Sequence, residues 1–120
     1  MKQIFFTLFL CLLCTASAHA ALKVIGGGDN KQLDPAGFPP VMKSSYQLMQ
    51  TKCTSCHTLD RVVSALQTGI APTTLLEFNK KTAKDHCMKM ARKPHANISQ
   101  QDAKTITELL YYLIDEAAKK

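Results

Sequence analysis

Within five consecutive positions, Cys53-Thr54-Ser55-Cys56-His57, the chain sets two thiols and an imidazole. The string is C-x-x-C-H, the attachment signature of c-type haem. Its spacing has a physical basis. One turn of chain between the cysteines lets both sulfurs reach the two vinyl groups of one haem and form thioethers. His57 then lies under the iron and ligates through Nε2, while its other ring nitrogen donates to a backbone carbonyl that fixes the ring. Two other chemistries use the same residues. A Cys53–Cys56 disulfide closes so short a loop that it stabilises little, and it leaves His57 without a role. A zinc site needs a fourth ligand, Cys87 or His86, and free thiolates in a compartment that favours disulfides.

An iron held by His57 takes a second axial ligand from elsewhere in the chain. The candidates are Met42, Met49, Met88, Met90, His86, His95 and Cys87. Met42 and Met49 lie on the apolar stripe before the motif, where methionine is ordinarily core. Met90 follows His57 by 33 residues and ends the third helical pattern. It shares a face with Ala83 and Cys87, and Met88 does not. The chain after it, Ala91 to Ile98, can cross to the opposite side of a haem before the last helix returns. The competing reading of Met90 is core filler. Cys87, an unpaired thiol, reads as a buried core residue.

The elements that must hold these residues read as helices. Val41 to Lys52 places Val41, Met42, Ser45, Leu48 and Met49 on one side. Asp60 to Leu66 is a short helix stopped by Gly69. Thr74-x-x-Glu77 reads as a capping box opening a third helix that runs to about Arg92, before Pro94. Ser99-x-x-Asp102 is a second capping box. It opens a last helix with Ala103, Ile106, Leu110, Leu113 and Ala117 on one stripe. No strand pattern of useful length appears, so the expected fold class is all-α. Residues 21–40 contain Gly26-Gly27-Gly28, Asp29-Asn30, Pro35 and Pro39-Pro40 without an apolar period, and read as an extended N-terminal arm or linker. Ahead of them, Met1-Lys2, the apolar run Ile4 to Cys14 and Ala18-His19-Ala20 make residues 1–20 a secretory signal peptide cut after Ala20. The run is too short for a bilayer span, so no stable membrane span is expected in the mature chain.

A chain of 120 residues is one small domain, which excludes a two-domain enzyme with its own cofactor fold. Without residues 1–20 the balance is 14 Lys+Arg against 9 Asp+Glu, and the cysteines are Cys53, Cys56 and Cys87. So small a domain buries roughly 60–70% of its unfolded surface and needs a staple, whether disulfide, metal or covalent cofactor. The positive charge is scattered rather than gathered in a block, which argues against nucleic acid. Lys43, Lys52, Lys80, Lys81, Lys84, Lys89 and Lys93 suit fast, salt-sensitive docking to an acidic partner. Arg61, four residues after the motif, is a candidate partner for a haem propionate.

From Ser45 to Leu113 the chain resembles the small bacterial monohaem class I c-type cytochromes. The resemblance rests on Cys53-Thr-Ser-Cys56-His57-Thr-Leu-Asp-Arg-Val-Val-Ser, on Met90-Ala-Arg-Lys-Pro94-His-Ala-Asn-Ile98-Ser99 and on Tyr112-Leu113. It implies a bundle of three to five short helices, residues 41–120, around one covalent haem c, with Cys53 and Cys56 bonded to it and His57 and Met90 on the iron. It also implies that Tyr112-Leu113 packs the last helix on the first. The function implied is that of a monomeric periplasmic electron carrier, not an enzyme, serving redox partners with acidic docking surfaces. The alternative function is the haem subunit of a periplasmic oxidoreductase, peroxidase-like or sulfur-oxidising, with an open or non-Met sixth position.

Overall fold

The computed structural model describes residues 22–119. The expected signal peptide lies outside the described residues. In chain order the elements are β1 (Val24–Ile25), a 3-10 turn (Gly28–Asn30), β2 (Gln32–Leu33), a second 3-10 turn (Pro35–Gly37), and four helices. These are α1 (Pro40–Cys53), α2 (Asp60–Thr68), α3 (Lys80–Ala91) and α4 (Gln100–Ala118). The molecule is mostly helical, as expected. Its only strands among the described residues form a two-residue antiparallel ribbon, Val24 opposite Leu33 and Ile25 opposite Gln32. None of the described helices is long and apolar enough to cross a membrane.

Local chemistry explains most helix ends. α1 opens on Pro40, whose fixed φ suits the first helical position. α2 stops at Gly69, which takes φ +74 and returns its N–H to the Ala65 carbonyl at 2.8 Å. α4 opens on the expected box: Asp102 N donates to Ser99 Oγ and Ser99 N to Asp102 Oδ2, each at 3.0 Å. Ala103, Ile106, Leu109, Leu110 and Leu113 then bury completely or nearly so, and α4 packs against α1, α2 and α3.

The third helix differs from expectation. It starts at Lys80, not Thr74, and its capping box is Asn79 with Thr82: Thr82 N donates to Asn79 Oδ1 at 3.0 Å and Asn79 N to Thr82 Oγ1 at 2.9 Å. Residues 70–78 instead form a closed loop in which Ala71 N donates to Leu76 O and Phe78 N to Gly69 O, both at 2.8 Å. Leu75 sits there at φ +57, a left-handed conformation that cannot continue a right-handed helix. Leu76, which a helix begun at Thr74 would set on the face of Ala83 and Cys87, instead lines the loop side of a cleft.

Residues 22–40, within the segment expected as an extended arm or linker, are tied into the core. Leu33 is 2% exposed and Phe38 7%. Leu33 N donates to Tyr46 Oη at 2.9 Å. The Phe38 ring meets Tyr46 and Tyr112 edge to face, at 5.7 and 5.6 Å between centroids. The Gly- and Pro-rich turns that suggested a linker lay two large apolar side chains on the helices, each contributing about 1.5–3 kcal/mol by burial. Val41, expected on the buried stripe of α1, is exposed, and Tyr46 occupies the core in its place.

Candidate functional site

The Cys53–His57 segment is where α1 ends. Cys53 is its last residue, and Thr54 and Ser55 turn the chain out of the helix. Their hydroxyls accept the task of satisfying the terminal carbonyls: Thr54 donates to Gln50 O and Ser55 to Lys52 O. The two residues between the cysteines thus build the turn that sets both thiols on one side. Leu59, 3% exposed, then anchors the start of α2. Thr58 O lies 2.9 Å from His57 Nδ1. A carbonyl only accepts, so Nδ1 is the donor in this contact and Nε2 is the nitrogen left for a ligand.

Cys53, Cys56, His57 and Met90 line one cleft. Its other walls are apolar: Met49 from α1, Val62 from α2, Ile106 and Leu110 from α4, and Ile98 from the loop before α4. It contains about 660 Å³ of empty space, counting the part open to solvent. A second chamber of about 1010 Å³ adjoins it. His57, Val62, His86 and Leu110 line both. Arg61, Lys81, Lys89 and Asp85 line the second chamber, Lys81 pairing with Asp85 at 3.0 Å.

The other candidate ligands separate by position. His86 and Cys87 reach the cleft with Met90. Met49 lines it from within the core at 1% exposure. Met42 and Met88 pack against the core instead. His95 is exposed, at φ +64. Cys87 is the buried core thiol expected, with Sγ donating to Ala103 O at 3.5 Å.

Burial sets the electrostatics. It pushes the Cys53 thiol up to about 11, with the Cys87 and Cys56 sulfurs adding to the effect. Burial also raises Cys87, against a side-chain hydrogen bond with Thr107 that lowers it. His86 is pushed down, first by burial and then by the charges of His57, Lys89, Arg61 and Lys93. Its imidazole is therefore held towards the neutral form.

The donor set fits a haem. Two thiols free of any disulfide, an imidazole with Nδ1 engaged by a carbonyl and a thioether share a cleft walled by aliphatic side chains. Among the described residues no three His, Cys, Asp or Glu side chains converge on a point that would hold a metal ion.

Some cleft residues escaped the sequence reading. Ile98 carries a local signal, an apolar residue just ahead of the Ser99 cap, where a hydrophobic staple is expected. Lys52 carries none. Its Nζ donates to Asn97 O at 2.9 Å, a partner 45 residues away. No protein-family model matches the chain, and neither a curated protein nor a solved structure matches it.

Proposed function

We propose that the mature chain is an exported, periplasmic electron-transfer protein carrying one covalent haem c, with His57 and Met90 as its axial ligands. The observation that carries this reading is the meeting of Cys53, Cys56, His57 and Met90 on one apolar cleft, with His57 Nδ1 held by a carbonyl. A haem bound there supplies a one-electron Fe(II)/Fe(III) couple.

The chain's own residues do the rest. Cys53 and Cys56 fix the group covalently, which meets the need of a small domain for a staple. The carbonyl of Thr58 orients the His57 ring. Thioether sulfur from Met90 favours the reduced metal, and the walls of Val62, Ile98, Ile106 and Leu110 exclude water, which disfavours added positive charge. Arg61 and Lys89 lie in the second chamber, away from the cysteines, where carboxylates at the far edge of a haem would meet positive charge. Lys93 stands at the cysteine side. It would help to steer an acidic redox partner to the edge from which electrons leave.

The deciding experiment is mass spectrometry of the mature protein from a host that performs c-type ligation. The expected mass is that of the polypeptide plus one haem. A colourless product at the bare peptide mass rejects the reading. The spectrum of the oxidised protein separates the two haem functions. A near-red thioether-to-iron band supports the carrier. High-spin iron that binds CO readily on reduction supports an oxidoreductase subunit.

A further inference from the structure

We propose that His86 is a second iron-ligand position, facing the same space as His57 and one helical turn before Met90, which takes the iron when the Met90 thioether is displaced. The inference rests on the haem reading above.

Three observations carry it. First, His57 and His86 both line the cleft and the chamber beside it, whereas Met90 lines the cleft alone. The two imidazoles therefore border the passage between the two spaces, from the end of α1 and from α3. Second, His86 and Met90 stand four residues apart on α3, the spacing that puts two side chains on one helix face. Cys87 beside them is buried and bonded to Ala103 O, which ties that face of α3 to α4. Third, the His86 side chain is partly buried on the wall of the second chamber, with Arg61 of α2, Lys89 of its own helix and Asp85, whose carboxylate lies 3.0 Å from Lys81 Nζ. An imidazole placed there offers a nitrogen lone pair to a metal.

The exchange balances without an oxidant or reductant. The iron–sulfur bond to Met90 breaks, a lone pair from a His86 ring nitrogen forms an iron–nitrogen bond, and a neutral imidazole gives up no proton. The iron stays six-coordinate, its potential falls because imidazole replaces thioether, and external ligands remain shut out.

The test compares Met90→Leu, a change that keeps volume and removes the ligand, with Met90→Leu/His86→Leu and with His86→Leu. All are made as the haem-loaded full chain. Met90→Leu is expected to lose the near-red band yet stay low-spin, with a bis-imidazole electron paramagnetic resonance signal and little CO binding when reduced. The double variant is expected to be high-spin, to bind CO readily and to return to low spin on addition of free imidazole. His86→Leu alone is expected to keep the near-red band. A Met90→Leu protein as high-spin and as open to CO as the double variant overturns the proposal. So does a wild type that lacks the near-red band and shows a bis-imidazole signal which His86→Leu removes, because His86 is then the resident ligand. Should Met90→Leu fail to fold, Met90→Ala carries the same comparison. The wild-type mass is measured first. A bare peptide mass there overturns the haem reading, and this inference with it, before any substitution is made.

Discussion

Lys52 Nζ donates to the carbonyl oxygen of Asn97 at 2.9 Å, joining the last turn of α1 to the loop that follows Met90. The same ammonium lies 3.5 Å from Asp102 Oδ2, and the two side chains are only 25% and 21% exposed. The loop needs such a hold. His95 and Asn97 both sit at positive φ, +64 and +52, conformations that cost non-glycine residues about 1 kcal/mol or more each. Lys52 is thus a fastener between the residue ahead of Cys53 and the segment that closes the cleft over Ala96 and Ile98.

Replacing Lys52 with Met keeps the aliphatic stem and removes the donor. The expected loss of stability is about 1–2 kcal/mol, a charge-assisted hydrogen bond discounted for partial exposure. Lys52→Arg should recover most of it. Urea unfolding of the three proteins measures the effect, and equal midpoints for Lys52→Met and wild type would show that the loop holds itself.

The cap of α4 makes stability depend on acid. The Ser99 N–H bond, followed by the Ser99 hydroxyl and Lys52, holds the Asp102 carboxyl below its ordinary value. A depressed carboxylate contributes stability that is complete above its unfolded value, ~3.9, and is lost as pH falls through the lower folded value. Asp34, held down chiefly by the Ala36 N–H, acts in the same direction. The two carboxylates should make stability decline below about pH 4, on top of the loss that the lowered His86 contributes as pH falls below its unfolded value of ~6.5. In Asp102→Ala that decline should be shallower. Identical acid limbs for the variant and wild type would assign the decline to other groups.

Tyr46 ties the N-terminal segment to α1 through its hydroxyl, which accepts from the buried Leu33 N–H at 2.9 Å. Tyr46→Phe leaves that N–H without its partner and should cost about 1–3 kcal/mol. Amide hydrogen exchange gives a local readout: Leu33 should lose protection in the variant. Unchanged exchange at Leu33 would mean that the ribbon is held by packing of Phe38 and Leu33 alone.

The thiols should differ in reactivity when the chain is made without haem attachment. Cys56 is exposed, Cys53 is partly buried with its thiol pushed up to about 11, and Cys87 is buried. Iodoacetamide at pH 8 should modify Cys56 first and leave Cys53 and Cys87 slow, because thiolate is the nucleophile. Labelling of Cys53 should accelerate as pH rises towards 11. A raised thiol favours the folded state at pH below its unfolded value, and that contribution fades as pH climbs through the folded one. Equal rates at Cys53 and Cys56 at pH 8 would contradict the burial.

Helices were legible wherever periodicity and a cap agreed. The Ser99–Asp102 box and the stripe Ala103, Ile106, Leu110 and Leu113 describe α4 as it folds, because both signals act within a few residues. Thr74 and Glu77 have the same spacing but misplace α3. Their backbone is taken up by the 70–78 loop, and Asn79 caps α3 instead.

The chain's order of residues alone determined the chemistry on offer. Two sulfurs and an imidazole at C-x-x-C-H spacing need no distant partner to be brought together, since one helix end and one turn do it. Local order also determined the mostly helical architecture. Tertiary structure decided which side chains share the cleft: Met90 and His86 border it, while Met88 and His95 do not. It also decided that Leu33 and Phe38 belong to the core, and that Lys52 reaches Asn97. The physical reason is range. Caps and helix faces are set by neighbours three or four positions away, whereas a cleft wall or a fastener depends on how helices far apart in the chain come to lie against one another.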